Sequence, residues 1–481
     1  MFPLLLGVIF VCALLTYLIP SGEYERRETR VGGATRTTVV PGTFKHLPKE
    51  VSLETALVGR ADAGRAQPTS LIQLATAVPR GMVAAADIIF LIFIVGGMFG
   101  VLSRTGTIAA VIQALLERFG GSGVLLTIVL MTVVGLGGST LGMGEEYLAI
   151  TPMFLMVSRQ LGRDRVYGLS LVYVGGMVGF AAATTNPFTV QIAQELAGVP
   201  IGSGMPFRIV FFLAAMTVAI VYVERYGRRV QADPSRSVLA GSPSSAADPA
   251  IARWTEPAVA AAESRGATLS WSHAAVVALT AAIFAGTLYA VQAHGWWLDE
   301  LSGAFLLIAV LAAALGGLSV AQATAAFVKG MEEITVPALV IGFAKGIQIV
   351  LDDARVLDTI VHWAAESLRV FPPVAAAEGM LLFQTMLNFF IPSGSGQAVV
   401  TMPLMAPLAD VLGLTRQSAV FAFTCGDGFS NMIIPTSGLL MASLGIANVP
   451  YERWLRFVVP LFLQLFVLSA LFLAAAVWSG Y

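Results

Sequence analysis

The chain has 481 residues, of which 57% are hydrophobic and only 12% charged, with a net charge of −1. Soluble domains carry about 25% charged residues, so this composition, with a mean hydropathy of +0.80, excludes an ordinary soluble protein and indicates one that lies in a lipid bilayer. The charge balance also argues against a nucleic-acid partner, and the two cysteines and four scattered histidines lack metal-ligand spacing.

Apolar stretches long enough to cross a membrane recur along the chain. A crossing takes roughly 17 to 25 mainly apolar residues, and the sequence predicts spans at 1–19, 87–103, 207–223, 271–292, 301–318, 335–350 and 457–479. The first span has no basic n-region and no clear cleavage site, so we interpret it as a retained helix rather than a signal peptide. We expect an all-α polytopic membrane protein.

Two polar stretches interrupt these spans. Residues 20–70 mix charges of both signs with Gly, Thr and Pro, and we expect an ordered or semi-ordered loop there. Residues 225–270 run from an arginine cluster through a small, polar tract that is typical of a flexible linker. This linker divides the chain near its midpoint.

The two halves repeat the same landmarks in the same order. Gly81 and Gly97 match Gly330 and Gly346 at one constant offset. Four later landmarks keep nearly that offset: Pro152 with Pro403, Leu161-Gly162 with Leu412-Gly413, Pro187 with Pro435, and Val199-Pro200 with Val449-Pro450. The sequence therefore predicts a duplication, with a first repeat at 1–224, the linker at 225–270 and a second repeat at 271–481.

Basic residues give the expected orientation. Arg104, Arg118, Arg159 and Arg163 flank the segment 123–160, and by the positive-inside rule they face the cytoplasm together with the linker. The second half has one more span before its matched glycine than the first half, and an extra crossing inverts it. We predict that the N-terminus lies inside, and that residues 20–70 and the C-terminus lie outside.

A glycine-rich, polar interruption breaks an apolar segment in each half. We call these segments hairpin 1 (about 123–160) and hairpin 2 (about 378–410). Two further apolar segments are too long for one crossing and contain a proline break; we call them broken helix 1 (166–198) and broken helix 2 (417–448). Backbone with unpaired polar groups is tolerated at membrane depth only inside protein or against a water-filled cavity. The sequence thus predicts two inverted structural repeats, each with a re-entrant helical hairpin and a broken transmembrane helix, as in alternating-access transporters.

The motifs at these interruptions resemble a known family. They are Gly142-Met143-Gly144-Glu145-Glu146, Gly179-Phe180-Ala181 leading to Asn186-Pro187-Phe188-Thr189-Val190, Ile391-Pro392-Ser393-Gly394-Ser395-Gly396-Gln397, Gly426-Asp427-Gly428-Phe429-Ser430-Asn431 and Pro435-Thr436-Ser437-Gly438. They are similar to those of the YfcC family, grouped with DcuC-like C4-dicarboxylate carriers and ArcD-like basic amino acid antiporters in the ion transporter superfamily. Over nearly the whole chain outside the linker, this resemblance implies a secondary carrier of the bacterial inner membrane. It implies a carboxylate or amino acid as substrate better than any one compound.

Substrate recognition is predicted at the hairpin tips. Glycine lets the backbone turn and approach a ligand closely, and amides at a half-helix N-terminus attract a carboxylate. The predicted substrate-binding residues are Ser139, Thr140, Gly142, Gly144, Glu145, Glu146, Asn186, Ser393, Gly394, Ser395, Gly396, Gln397, Asn431 and Lys345. The structural alternative is that the glycines only allow tight helix packing.

The proline breaks predict cation sites, because Na⁺ binds several hard oxygen ligands and proline frees a carbonyl. The predicted ligands are Thr184, Thr185, Asn186, Asp427, Ser430, Asn431, Thr436 and Ser437. The alternative is a simple kink whose hydroxyls bond back to the helix. Proton coupling through Glu145, Glu146 or Asp427 stays open.

Charges inside apolar segments are costly and mark function. Hairpin 2 has Gln397 where hairpin 1 has its acidic pair, so one of Glu145 and Glu146 is expected to face the site while the other is capped or solvated. Asp427 is expected either to bind Na⁺ or to pair with Lys345. Asp87, close to a span end, is expected to be interfacial.

A secondary transporter for an amino acid or related solute is the favoured function, with a C4-dicarboxylate carrier as its alternative. An intramembrane enzyme using Asp427 and the Glu145–Glu146 pair, and a channel, are the alternatives of other classes. The enzyme is disfavoured because the sequence offers no second membrane aspartate opposite Asp427. We expect no cofactor besides the coupling ion, Na⁺ or H⁺, and as partners a small-molecule substrate and the bilayer. The oligomeric state stays open, with a homodimer as one option.

Overall fold

The structure, a computed structural model, describes residues 2–31, 34–59, 65–108, 110, 123–241, 270–294, 296 and 298–481. Arg118 and residues 242–269 of the predicted linker lie outside the described residues. In the described part, six helices are long and apolar enough to cross a membrane: Ala86–Arg104, Gly123–Leu141, Met205–Ala232, Leu298–Leu315, Thr335–Asp353 and Tyr451–Ser479. The predicted spans at 1–19 and 271–292 are the helices Phe2–Leu18 and Trp271–His294. The all-α polytopic prediction is confirmed.

Two kinked helix pairs form a scaffold, and both are longer than predicted. Leu71–Ala84 bends at Ala85 into Ala86–Arg104, and Val320–Glu333 bends at Ile334 into Thr335–Asp353. The sequence predicted only the second helix of each pair as a span. Each pair begins with a capping box, Ser70 with Gln73 and Ser319 with Gln322, which satisfies amides at the helix start.

The two pairs cross where the matched glycines lie. Leu71–Ala84 packs against Thr335–Asp353, and Val320–Glu333 packs against Ala86–Arg104. A Cβ atom on Gly81 would lie 2.2 Å from the Gly342 carbonyl oxygen, and one on Gly330 would lie 2.1 Å from the Gly96 carbonyl oxygen. Backbone therefore touches backbone at both crossings, and only glycine fits there.

The hairpins and broken helices follow the predicted segments closely. Hairpin 1 consists of the helix Gly123–Leu136, a π-helical turn at Gly137–Leu141 and the helix Glu146–Gln160. Hairpin 2 consists of Pro373–Leu387 and Gly394–Val411. Broken helix 1 contains Arg165–Leu169, a π-helical turn at Ser170–Val174, Gly175–Ala181 and Val190–Ala197. Broken helix 2 contains Arg416–Ser430 and Gly438–Ala447.

The two hairpins have their bases at opposite ends of the helix Met205–Ala232, which is about 42 Å long at 1.5 Å per residue. The base of hairpin 1 lies at the C-terminal end of that helix, where Arg163 Nη1 donates to Glu224 Oε2 at 2.8 Å. The base of hairpin 2 lies at its N-terminal end: Thr415 Oγ1 donates to the Tyr481 carbonyl, and Tyr481 Oη donates to the Gly204 carbonyl at 3.3 Å. The hairpins thus point toward each other, while the inverted repeat and its membrane orientation stay predictions.

The described residues of the 20–70 loop form a small ordered cap with two strand pairs. Gly22–Glu23 pairs antiparallel with Lys45–His46, and Arg26–Val31 pairs antiparallel with Ala34–Val39; a short helix, Leu53–Leu57, follows. The cap is held to the helix Leu357–Leu368, where Arg26 Nη2 lies 2.9 Å from Asp358 Oδ1 and Tyr24 Oη lies 3.0 Å from His362 Nδ1.

The described start of the predicted linker is ordered. Residues up to Ala232 continue the long helix, and a single 3₁₀ turn follows at Pro234–Arg236. Ser237 Oγ donates to Asp164 Oδ2 at 2.6 Å, and Arg453 Nη1 donates to the Val238 carbonyl at 3.0 Å. The first residues of the linker therefore dock at the base of hairpin 1, which corrects the expectation of a flexible segment starting at 225.

Candidate functional site

Both hairpin tips and both broken helices line one cavity of about 350 Å³ between the two halves. Of the predicted residues, those on its wall are Gly142, Gly144, Glu145, Lys345, Ser393, Gly394, Ser395, Asn431, Thr436 and Ser437. The predicted residues that lie off the wall are Ser139, Thr140, Glu146, Thr184, Thr185, Asn186, Gly396, Gln397, Asp427 and Ser430. The cavity is large enough for a small solute.

The tip of hairpin 1 separates its two glutamates. Gly142 has a positive φ of 73° and packs so tightly that a Cβ atom would lie 2.4 Å from Asn186 Oδ1. Glu146 Oε2 accepts a hydrogen bond from the Gly144 amide at 2.8 Å and so closes the tip. The Glu145 side chain lines the cavity and takes part in no salt bridge among the described residues. One carboxylate is thus a cap, and the other is available to a ligand.

The tip of hairpin 2 presents a helix start to the cavity. Ser393 is the N-cap residue of Gly394–Val411, and its Oγ accepts from the Gly396 amide at 3.3 Å. Ser393, Gly394 and Ser395 all lie on the cavity wall. The first amides of a helix have no intrahelical acceptor, and this first turn holds no acidic residue. This tip is therefore a place of positive potential.

Two further charged side chains reach the cavity. Lys345 Nζ donates to Gln348 Oε1 at 2.8 Å and forms no salt bridge in the described part of the chain. The pairing of Lys345 with Asp427, one of the two alternatives from the sequence, is therefore wrong. Asp87, expected to be interfacial, also lines the cavity.

The polar cluster of broken helix 1 is used to hold hairpin 1. Thr184 Oγ1 donates to the Ser139 carbonyl at 3.3 Å, and Thr185 Oγ1 donates to the Thr140 carbonyl at 3.2 Å. The Asn186 amide group donates to the Gly138 carbonyl at 3.3 Å, and its Oδ1 accepts from the Phe188 amide at 2.8 Å. These side chains hold hairpin 1 through their donor groups instead of bonding back to their own helix, as the simple-kink alternative would have it. Their assignment as cation ligands stays a prediction.

Broken helix 2 is only partly engaged in this way. Ser430 Oγ donates to the Gly426 carbonyl at 2.6 Å, and Asn431 Nδ2 donates to the Asp427 carbonyl at 2.9 Å. In contrast, both carboxylate oxygens of Asp427, a fully buried residue, have no hydrogen-bond partner among the described residues. Thr436 Oγ1 is also buried without a partner. The buried acceptors left for a cation thus lie mainly in the second half, together with Thr189 Oγ1 of broken helix 1.

Several polar residues near the site were not assigned from the sequence. Asn388 Nδ2 donates to the Asp427 carbonyl and to Ser430 Oγ, both at 2.8 Å. Thr189 of broken helix 1 is buried, and so is Arg208, whose Nη1 donates to the Ala183 carbonyl of the same broken helix. Gln384 and Asn388 stand one helical turn apart in an apolar segment and Arg208 is a lone charge in another, which is the signal that could have identified them.

Comparison with known proteins identifies the family of this chain. A family model described as "C4-dicarboxylate anaerobic carrier", DcuC, matches residues 1–478. The chain belongs to the DcuC family. It is 33% identical to an Escherichia coli protein described as "Putative basic amino acid antiporter YfcC", over 99% of this chain and 96% of that relative. It is 26% identical to a Haemophilus influenzae protein described as uncharacterized, with the same coverage.

Two solved transporters align with this DcuC-family chain at low similarity. The YdaH transporter of Alcanivorax borkumensis has a TM-score of 0.45 and 16% identity, covering 100% of this chain and 98% of that one. MtrF of Neisseria gonorrhoeae, described as an antimetabolite efflux pump, has a TM-score of 0.41 and 17% identity, covering 99% and 95%.

Family membership decides the class of the protein. The predicted resemblance to YfcC and DcuC carriers is confirmed, and so is the prediction of a multi-pass protein of the bacterial inner membrane. The family is described as a carrier and the Escherichia coli relative as a putative antiporter, which points to a transporter rather than an enzyme.

Proposed function

We propose that this DcuC-family protein is a secondary active transporter that moves a small carboxylate-bearing solute, an amino acid or a related compound, by alternating access coupled to Na⁺ or H⁺. The observation that carries the proposal is that one cavity between the two halves is lined by both hairpin tips and bears charges of both signs. A zwitterion has matching charges, and its two ends need two different environments.

The carboxylate end of the substrate is assigned to hairpin 2. The open helix start at Gly394, the hydroxyls of Ser393 and Ser395, and the Lys345 ammonium group on the same cavity wall all favour an anionic group. The corresponding tip of hairpin 1 is less suited, because Glu146 already occupies the Gly144 amide.

The ammonium end is assigned to Glu145, with Asp87 as a second acidic side chain on the wall. Two carboxylates and one lysine give the cavity a negative balance, which favours a substrate with an extra positive charge. The description of the Escherichia coli relative as a basic amino acid antiporter supports the same substrate class. We therefore propose basic amino acids as the first compounds to test.

A C4-dicarboxylate is the second candidate substrate, and the observation in its favour is Lys345 together with the description of the family. Two acidic side chains on the wall oppose a dianion by repulsion. A dicarboxylate would therefore have to rely on Lys345 and on the helix start of hairpin 2.

Counterflow in proteoliposomes tests the proposal. Vesicles loaded with unlabelled L-lysine should accumulate labelled L-lysine or L-arginine above equilibrium, because a carrier exchanges solute across the membrane whereas a channel only dissipates a gradient. Vesicles loaded with unlabelled succinate should not accumulate labelled succinate. Accumulation with succinate alone would select the C4-dicarboxylate alternative, and downhill leakage without counterflow would indicate a channel.

A further inference from the structure

Four buried side chains around the tip of hairpin 2 carry oxygen atoms with no hydrogen-bond partner among the described residues. They are both carboxylate oxygens of Asp427, Asn388 Oδ1, Gln397 Oε1 and Thr189 Oγ1. All four residues are fully buried. The amide orientations follow from their hydrogen bonds, since Asn388 Nδ2 donates to the Asp427 carbonyl and Gln397 Nε2 donates to Gln384 Oε1 at 2.7 Å. The amide oxygens are therefore the atoms that are left over.

A continuous set of contacts brings these residues together. A Cβ atom on Gly394 would lie 3.1 Å from Asp427 Oδ2 and 2.8 Å from Thr189 Cγ2, so the hairpin tip touches both. Gln397 follows Gly394 by about one helical turn, and its partner Gln384 packs against Gly426, next to Asp427. Asn388 joins this set through its hydrogen bond to the main-chain carbonyl of Asp427. The leftover oxygens thus belong to one neighbourhood contributed by hairpin 2 and both broken helices.

Such a neighbourhood favours a positive charge. A buried carboxylate with no donor is strongly unfavourable, and Asp427 forms no salt bridge among the described residues. A proton would neutralise Asp427 but would supply only one O–H donor, which leaves at least one of the two amide oxygens without a partner. A metal ion with hard-ligand preference would use all of them. A single carboxylate balances a monovalent ion, whereas a divalent ion would leave an unbalanced charge in the interior.

The equivalent position in the first half is built differently. By the offsets of the flanking landmarks, Asp427 corresponds to a position within Gly176-Met177-Val178-Gly179, where no residue is acidic. Near the end of Gly175–Ala181, the guanidinium of the buried Arg208 donates to the Ala183 carbonyl at 3.4 Å. A fixed positive charge therefore lies at broken helix 1, where carbonyls would otherwise attract a cation.

We infer that one Na⁺ ion per chain binds at Asp427, with Thr189, Asn388 and Gln397 as its other side-chain ligands, and that the first half holds Arg208 in place of a second ion. This inference rests on the proposed function and supplies its coupling ion. Because Gly394 touches Asp427 and also lines the substrate cavity, the ion and the substrate share the tip of hairpin 2. Binding of the ion therefore orders the helix start that receives the substrate carboxylate.

Thermal unfolding of the purified full chain without substrate tests the inference. NaCl is titrated against choline chloride at constant ionic strength, and the unfolding midpoint should rise with Na⁺ by mass action. Asp427→Asn should lose this response. Thr189→Val removes one ligand and keeps the shape, and it should weaken Na⁺ affinity by about tenfold. Its midpoint without Na⁺ should not fall, because the hydroxyl has no hydrogen bond to lose.

Two matched variants serve as controls. Asp410, changed to Asn, lies at the far end of the hairpin 2 helix Gly394–Val411 in an exposed ion pair with Arg416. Thr217→Val replaces an exposed hydroxyl bonded to the Leu213 carbonyl. Both variants should keep the parent Na⁺ titration. The inference is overturned if the parent shows no Na⁺-specific stabilisation, or if Asp427→Asn and Thr189→Val titrate like the parent. A midpoint that follows pH instead of Na⁺, and loses that dependence in Asp427→Asn, would replace Na⁺ by a proton. The counterflow experiment tests solute exchange separately, so each of these results leaves the transport proposal standing.

Discussion

Replacing Glu145 by glutamine should weaken substrate binding selectively. The side chain lines the cavity and has no salt bridge in the described structure, so the change removes charge from the ligand site while keeping size and hydrogen-bonding capacity. Removing one partner of a desolvated ion pair costs at least about 2 kcal/mol, which is roughly a thirtyfold increase in Kd. Folding should be little affected.

Glu146→Gln is the matched control. Its Oε1 can still accept from the Gly144 amide, so a charge-assisted hydrogen bond becomes a neutral one, at a cost of about 1 kcal/mol. The change loosens the hairpin tip as a whole, so it should weaken the binding of all ligands by a similar factor.

Calorimetric titration separates the two effects. Kd is measured for L-lysine and for its two monoacetylated forms, each of which lacks one ammonium group. The loss caused by Glu145→Gln should disappear for the form whose missing ammonium is the one that faces Glu145. The reasoning is refuted if Glu145→Gln binds L-lysine as tightly as the parent, or if it weakens all three ligands by the same factor.

Three further predictions concern the scaffold, the cap and the topology. Gly81→Ala should lower the free energy of unfolding by about 1 to 3 kcal/mol, because its Cβ meets a backbone carbonyl. Gly286→Ala, with open space around it, should raise that free energy by up to about 1 kcal/mol. Equal thermal unfolding midpoints for the two variants would contradict the close helix crossing at Gly81. Burial lowers the pKa of His362, so the unfolded chain binds a proton more readily than the folded one. The contribution of His362 to unfolding stability should therefore be fully present above about pH 6.5 and fall on acidification below it. Thermal unfolding at pH 7.5 and 5.5 should show a smaller decrease of the midpoint for His362→Gln than for the parent, and an equal decrease would assign the effect elsewhere. Lys45→Cys in the cap and Arg236→Cys in the linker should react with an impermeant thiol reagent from opposite sides of the membrane, and labelling from one side would overturn the predicted topology.

The sequence was informative wherever apolar length and glycine-rich interruptions coincide. Burying unpaired backbone in lipid costs free energy at every position along the chain. Apolar spans and their glycine-rich interruptions can therefore be located from the sequence. The helix Leu71–Ala84 escaped because it is shorter than a span and contains Pro79. The strands of the cap escaped because a short, charged and Thr-rich stretch reads equally well as a loop.

The chemistry of the site was harder to predict than its location. Glu145 and Glu146 are identical side chains at adjacent positions. Only the conformation of the tip makes Glu146 a cap and leaves Glu145 on the cavity wall. The hydroxyls of Thr184 and Thr185 are suited both to binding a cation and to donating to a carbonyl oxygen. Their use in holding hairpin 1 depends on contacts across the fold, which the sequence does not reveal. Asn388 becomes relevant only through its contact with Asp427, which is distant in sequence.

The wide turn at Gly137–Leu141 sets the direction in which hairpin 1 points. There the Gly142 amide bonds to the Gly137 carbonyl, five residues back, so the turn contains one residue more than an α-helical turn. Each residue of an α-helix advances the chain by about 100° around the axis. Deleting a single residue from this stretch would restore a regular helix and rotate the tip by about that angle, carrying Glu145 off the cavity wall. The length of this arm should therefore matter to the ligand site even at positions whose side chains do not reach the cavity.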